Sequence, residues 1–109
     1  MGTNESMDNF LLELRRGTLV LAVLSQLKQE QYGYSLINHL AESGLEIDQG
    51  TLYPLLRRLE SQDLLHSDWR IESGRPRRYY VCSPAGLDFL IRLTKEWNHI
   101  VSLMDRMLK

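Results

Sequence analysis

The feature that most constrains the fold lies between His66 and Ser83, where the side-chain pattern changes from a helical repeat to a repeat of two residues. In this stretch, HSDWRIESGRPRRYYVCS, side chains alternate in steps of two on both sides of a Ser73-Gly74 turn, which predicts a two-stranded β-hairpin. Before and after the stretch, apolar residues recur every three or four positions, as they do in α-helices. The sequence therefore predicts three helices, one hairpin and a final helix, in that order.

Apolar periodicity and capping residues predict where the first three helices lie. The first should run from about residue 6 to residue 29, and its apolar centre, TLVLAVLSQL, does not suit a helix with one face in water. The second covers about residues 34–43 and ends at Gly44. Asp48 is a good N-cap for the third helix, which should end near Asp63.

The end of the hairpin signals a further helix. Ser83 followed by Pro84 supplies an N-cap and a proline at the first helical position, so this helix can run to the C-terminus. We predict a mainly α fold with a two-stranded β-hairpin, made of a winged helix-turn-helix domain over residues 1–83 and a long C-terminal dimerisation helix over residues 84–109. In such a fold the third helix enters the major groove of DNA and the hairpin, or wing, reaches a flanking backbone or minor groove.

The third helix has an outward face that suits a groove. In GTLYPLLRRLE, four leucines follow the spacing of one buried stripe. The remaining surface carries the residues expected to contact DNA: Gly50, Thr51, Tyr53, Pro54, Arg57 and Arg58. Gly50 and Thr51 leave little bulk near the helix start, and the arginines can make forked contacts to phosphate or guanine. Pro54 should cause a local irregularity without breaking the helix. The alternative is a solvated surface with Tyr53 folded back onto the core.

The tip of the hairpin is crowded with positive charge. Arg75, Arg77 and Arg78 would repel one another at an exposed turn unless an anion is present, and a phosphate backbone is the obvious anion. Strand alternation should point Arg77 and Arg78 to opposite faces, so we expect Arg75 and Arg77 to contact DNA before Arg78. The alternative is cross-strand pairing to Glu72 or Asp68.

The overall charge and the apolar runs restrict the class of protein. The net charge of −1 does not by itself suggest a nucleic-acid binder. However, the segment from Arg57 to Arg78 contains six arginines and four acidic residues, so positive charge is concentrated there. No apolar run is long enough to cross a bilayer, and the N-terminus lacks the pattern of a signal peptide. We therefore expect a cytoplasmic protein with no membrane partner.

Few residues suggest catalysis or metal binding. Cys82 is the only cysteine, so it cannot form an intrachain disulfide, and it lies in a predicted strand with no recognisable base beside it. The three histidines lack metal-ligand spacing. We expect no catalytic residue, no metal and no cofactor. An enzyme is thus the first alternative to a DNA-binding function, and these residues do not support it. The second alternative is a winged-helix module used for protein association without DNA.

The last helix carries more apolar surface than a small winged domain can cover. Its apolar residues follow alternating steps of three and four, which predicts packing against a second copy of the chain and against the first helix. A dimer would read two half-sites about 34 Å apart. The residues expected at this interface are Leu11, Leu14, Leu90, Thr94, Trp97, Val101, Met104 and Leu108. The alternative is that the stripe packs within one chain.

Four segments resemble the PadR family of transcriptional regulators: LRRGTLVLAVLSQL, YGYSLINHL, GTLYPLLRRLE and ESGRPRRYYVCSPAG. They cover most of the chain in the family's order. The resemblance implies a homodimeric winged helix-turn-helix repressor that releases double-stranded operator DNA when a small aromatic or drug-like effector binds. The short tail after the hairpin looks like the subgroup with a single C-terminal helix. Gln29-Glu30-Gln31 departs from the Gly-Pro-containing turn of many relatives, which leaves the link between the first two helices open.

The resemblance also assigns roles to individual positions. The residues that match family positions contacting or bracing DNA are Tyr34, Thr51, Tyr53, Arg75, Arg77 and Tyr79. Trp97 matches a tryptophan that lines an effector cavity between subunits in some multidrug-binding relatives, and an indole suits the stacking of planar ligands. The alternative for Trp97 is plain packing in the dimer interface.

Overall fold

The computed structural model describes residues 3–109, which form four α-helices and one three-stranded antiparallel sheet. The order is α1 (Thr3–Gln26), β1 (Gln31–Tyr32), α2 (Gly33–Glu42), α3 (Gln49–Ser61), β2 (Leu65–Glu72), β3 (Arg75–Cys82) and α4 (Pro84–Leu108). The predicted mainly α class, with a hairpin between the third and fourth helices, is confirmed. We use "wing" for β2, β3 and the turn between them.

The segment between α1 and α2 differs from the prediction. α1 ends at Gln26, three residues earlier than expected, and Gln31 and Tyr32 form a short strand that pairs with Tyr80 and Tyr79. The sheet therefore has the strand order β1-β3-β2 and is not a hairpin alone. The side chain of Gln31 donates to the free carbonyl oxygen of Gln26 at 2.6 Å. Two residues are too few to show an alternating pattern, so periodicity could not predict this strand.

Local capping fixes the starts of α3 and α4, as predicted. The Asp48 carboxylate accepts from the backbone N–H of Thr51 at 2.8 Å, and the Ser83 hydroxyl accepts from the N–H of Gly86 at 2.9 Å. Gly86 is required at its position, because an added Cβ would lie 2.0 Å from the carbonyl oxygen of Leu64. The start of α4 therefore packs directly against the backbone that joins α3 to the wing.

Two turns use the left-handed backbone region. Gly44, with φ +97°, ends α2, and the N–H of Leu45 returns to the Leu40 carbonyl at 2.8 Å. Ser73 and Gly74 both have positive φ, 51° and 76°, as a two-residue type I′ hairpin turn requires. This turn sets the register of the wing, in which Glu72 faces Arg75.

The core lies where the second half of α1, α2, α3, the sheet and the start of α4 meet. Its innermost side chains are Val23, Leu24, Leu27, Leu36, Leu52, Leu56, Leu59 and Leu65. The first half of α1 and most of α4 extend away from this core, and the chain measures 53 × 36 × 25 Å. In the described part of the chain, no helix is both long enough and apolar enough to cross a bilayer.

Candidate nucleic-acid interface

Helix α3 separates a buried face from an exposed one. Its four leucines are at most 8% exposed, and the helix continues through Pro54 without interruption. Five of the six α3 residues predicted to contact DNA are exposed: Gly50, Thr51, Pro54, Arg57 and Arg58. The sequence pattern therefore identified the outward face of this helix.

Tyr53 is half-buried, because its ring packs against the start of α2. A Cβ added to Gly33 would lie 2.3 Å from Cε1 of Tyr53, so only glycine allows this close approach. Tyr34, the next residue of α2, is 58% exposed beside it. Tyr53 therefore joins α2 to α3 while its side chain remains partly exposed. Sequence reasoning gave no role to Gly33.

A cleft of about 730 Å³ lies between the wing and the helices α2 and α3. We call it the wing cleft. The predicted DNA-binding residues that line it are Tyr34, Tyr53, Arg57, Arg75, Arg77 and Arg78. Five predicted residues are not part of its lining: Gly50, Thr51, Pro54, Arg58 and Tyr79. Sequence reasoning missed four lining side chains, namely Tyr32, Trp69, Pro76 and Tyr80.

Arg77 and Arg78 point to opposite faces of the sheet, and each is already paired. Arg77 lies 3.9 Å from the Glu72 carboxylate, and its guanidinium stacks 4.5 Å from the ring centre of Tyr32. This is the cross-strand pairing to Glu72 that was left open as an alternative. Arg77 remains partly exposed, so Glu72 weakens its positive potential but leaves the guanidinium accessible to an anion.

Arg78 is held between the wing and the end of α3. It donates to Glu60 at 2.7 Å and to the Ser67 hydroxyl at 3.0 Å, and Ser67 itself donates to Glu60. Its guanidinium also lies 5.7 Å from the ring centre of Trp69 and 5.4 Å from that of Tyr80. Both hydrogen bonds reach across from β3, one to α3 and one to β2, so Arg78 joins the wing to α3.

The remaining arginines of this surface are not neutralised by a neighbour. Within residues 3–109, neither Arg57 nor Arg58 on α3 forms an ion pair, nor does Arg75 at the wing tip. Arg57 on α3 and Arg75 on the wing both line the wing cleft. Two uncompensated cations that line one cleft favour a polyanion, because nothing on the protein competes for them.

Cys82 lies away from this cleft, in the core, and its thiol contacts the Leu24 carbonyl oxygen at 3.4 Å. Burial raises the pKa of the Cys82 thiol, which disfavours the thiolate that a nucleophile needs. Among residues 3–109, no three His, Cys, Asp or Glu side chains are grouped to hold a metal ion.

The residues predicted at the dimer interface divide into two groups. Leu90 is 5% exposed and packs in the core, because the first turns of α4 are held against Leu64, so its side chain has little surface to offer a second copy. The others are exposed on a single chain: Leu11, Leu14, Thr94, Trp97, Val101, Met104 and Leu108.

The fold and the cleft together define a winged helix-turn-helix protein with a surface suited to DNA. Residues 20–92 match the Transcriptional regulator PadR-like family, and the chain therefore belongs to this family. Members of this family are transcriptional regulators that bind DNA, and not enzymes, as the sequence predicted.

Individual relatives agree with this assignment. The chain is 40% identical over 75 residues to transcriptional regulator Rv3488 of Mycobacterium tuberculosis. The aligned residues cover 68% of this chain and 70% of that protein. It is similar to the crystal structure of a PadR family transcriptional regulator from Eggerthella lenta, with 43% identity, a TM-score of 0.90 and coverage of 97% and 95% of the two chains. A PadR-like transcriptional regulator from Bacillus cereus gives 27% identity and a TM-score of 0.80, over 89% and 97% of the two chains.

Proposed function

We propose that this PadR-family regulator is a cytoplasmic homodimeric repressor, in which α3 of each subunit enters the major groove of an operator and each wing contacts the flanking backbone. The observation that carries the proposal is that two uncompensated cations, Arg57 on α3 and Arg75 on the wing, line the wing cleft. A phosphate backbone in the cleft would neutralise both at once.

The paired and unpaired arginines suggest different roles in this interface. Arg75 and Arg57 are available without breaking an existing bond, so they are expected to contact phosphate and, for Arg57, also a base edge. Arg77 can shift from Glu72 to phosphate, because their separation of 3.9 Å is that of a weak exposed pair. Arg78 is expected to orient the wing through Glu60 and not to touch DNA.

Exposed apolar side chains on α1 and α4 support the homodimer. Phe10 and Leu14 on α1 are 67% and 75% exposed, and Met107 and Leu108 at the end of α4 are 65% and 81% exposed. Many large apolar side chains exposed on the same two helices favour an interface with another protein surface. Since α1 and α4 pack against each other within the chain, a second copy related by two-fold symmetry would cover both helices.

Trp97 is our candidate for effector binding. It lies midway along α4 and is 41% exposed on the single chain, among apolar neighbours on the same helix. A planar aromatic or drug-like molecule could stack on its indole between two subunits, and the repressor would then release DNA. Titration of a panel of aromatic compounds, read by quenching of tryptophan emission and by DNA release, tests this part separately.

The DNA-binding proposal is tested by sequencing the fragments of its host's genomic DNA that the purified protein retains. A repressor should recover a small set of inverted repeats whose half-sites lie one helical turn apart, or a multiple of it. Binding to a recovered fragment should weaken steeply with added salt, since each neutralised phosphate releases counterions. Retention without any common sequence, or affinity that is unaffected by salt, would contradict the proposal and favour protein association.

A further inference from the structure

One network of side chains includes two residues to which the sequence gave no role in DNA binding, Glu30 and Arg70. On the sheet face that carries Arg77, the guanidinium of Arg70 donates to both carboxylate oxygens of Glu30 at 2.6 Å. Its Nε donates to Asp68 at 3.2 Å, and the guanidinium plane lies 4.3 Å from the ring centre of Tyr79. Arg70 is thus fixed by three groups that belong to three segments of the chain.

The same network continues toward the wing tip. The Tyr79 hydroxyl donates to Glu72, and this hydrogen bond raises the pKa of Tyr79. Glu72 also pairs with Arg77, whose guanidinium stacks on Tyr32. The Tyr32 and Tyr79 rings meet edge to face with centroids 5.5 Å apart. A continuous path of contacts therefore leads from Arg70 to Arg77, a predicted phosphate contact.

Glu30 and Arg70 join parts of the chain that the backbone connects only weakly. Glu30 directly precedes β1, which pairs through two residues and only with β3. Arg70 lies on β2, on the far side of β3 from β1. The Glu30–Arg70 pair therefore spans the central strand and connects the α1–α2 link to the outer strand of the wing.

We infer that Arg70 is a positioning residue for DNA binding: held by Glu30 across β3, it sets the angle of the wing and, through Tyr79 and Glu72, the place of Arg77. The inference rests on the proposed DNA-binding function and adds to it a residue pair that does not touch DNA. Hydrogen bonding from Arg70 lowers the pKa of Glu30, so the pair stays charged at neutral pH.

The pair contributes to orientation more than to folding stability. Its two side chains are 39% and 46% exposed, and exposed ion pairs add little to the free energy of unfolding. Its forked geometry instead restricts direction, because two parallel N–H···O bonds fix the guanidinium plane. Variants that break the pair should therefore fold normally and bind DNA less well.

A charge-swap cycle tests the inference with the full-length protein and a labelled mixed-sequence duplex at low salt. The informative single variant is Glu30→Arg, which removes a negative charge and adds a positive one. Charge alone would tighten DNA binding, whereas loss of the wing's orientation should weaken it by about ten-fold, the loss of one charge-assisted phosphate contact. Glu42→Arg is the matched control, since Glu42 is exposed at the end of α2 and carries the same change of charge without a pair to break.

The double variant Glu30→Arg with Arg70→Glu restores the net charge and an ion pair across β3, but it removes the stacking on Tyr79 and places a carboxylate beside Asp68. It should therefore bind more tightly than either single variant and more weakly than the parent. Arg70→Glu alone should bind at least about ten-fold more weakly. If Arg70→Glu does not fold, Arg70→Lys replaces it: lysine keeps the charge but cannot form the fork, so binding should fall by a few-fold.

The inference is overturned if Glu30→Arg binds as tightly as Glu42→Arg, or if the double variant is no better than the single ones. Thermal unfolding of every variant shows whether a loss of binding reflects loss of structure. Failure of the parent itself to bind duplex DNA would refute the proposed function, and this inference with it. When the parent binds, the variants test the wing orientation alone.

Discussion

The wing and the two long helices show opposite ways of arranging surface side chains. On the wing, Arg70, Arg77 and Arg78 each have an acidic partner within the chain, so their directions are set before any DNA arrives. On α1 and α4, large apolar side chains such as Leu14 and Leu108 have no covering element within residues 3–109. The difference is what the proposed homodimer predicts, because the charged side chains of the wing find partners within one chain, whereas the apolar surface of α1 and α4 would be covered by a second copy.

The junction between the two regions should be the most sensitive point. Gly86→Ala places a Cβ 2.0 Å from the Leu64 carbonyl oxygen, and neither backbone can move easily, because Ser83 also bonds to this carbonyl at 3.0 Å. We expect a loss of about 3 kcal/mol in the free energy of unfolding, measured by urea denaturation.

Gly17→Ala is the matched control for that variant. Gly17 lies in α1 with no atom within 4 Å of an added Cβ, so alanine should stabilise the helix by about 0.5–1 kcal/mol. A loss of stability at Gly17 would instead indicate that the backbone of a second copy approaches it. Equal effects at both glycines would contradict the close contact at Gly86.

The apolar surface is tested by a charge in its middle. Trp97→Asp should shift the dimer toward monomer by about 2–3 kcal/mol, because an interface aromatic is lost and a carboxylate would be buried. Light scattering across a concentration series measures the change. Lys95→Asp is the control, because Lys95 is exposed on α4 and already polar. An unchanged mass for Trp97→Asp would remove this residue from the interface.

The free and paired arginines should respond differently to truncation. Arg75→Ala should weaken binding to all duplexes by about ten-fold and lower the slope of log K against log salt by about 0.9, because one phosphate contact is lost. Arg57→Ala should also relax base preference. Arg106→Ala, in the last turn of α4, controls for net charge. If anisotropy titrations gave Arg75→Ala the slope of the parent, the wing tip would not contact phosphate.

The smallest effect concerns the start of α3. Asp48→Ala removes the acceptor for the Thr51 N–H and should lower the free energy of unfolding by about 1 kcal/mol. Asp48→Asn keeps a side-chain acceptor and should cost less. Equal losses for alanine and asparagine in urea denaturation would show that the carboxylate charge, and not the cap, matters at this position.

Much of the winged domain could be predicted because its signals are local. Asp48, Gly44 and Ser83 each act within a few residues, and the leucine stripe of α3 identified its buried face correctly. The alternation of the wing likewise separated Arg77 from Arg78. The short strand β1 and the core position of Leu90 were missed, because both depend on contacts with distant segments.

The sequence by itself determined the order of the helices, the caps of α3 and α4, and the wing with its alternating arginines, since periodicity and capping act over one or two turns of chain. Only the tertiary structure decided which cations are free, which aromatic ring packs on Gly33, and how Glu30 reaches Arg70 across a strand. These outcomes depend on pairing between residues that lie tens of positions apart. The packing of helices and strands sets the distances between such residues, so they cannot be predicted from a local sequence pattern.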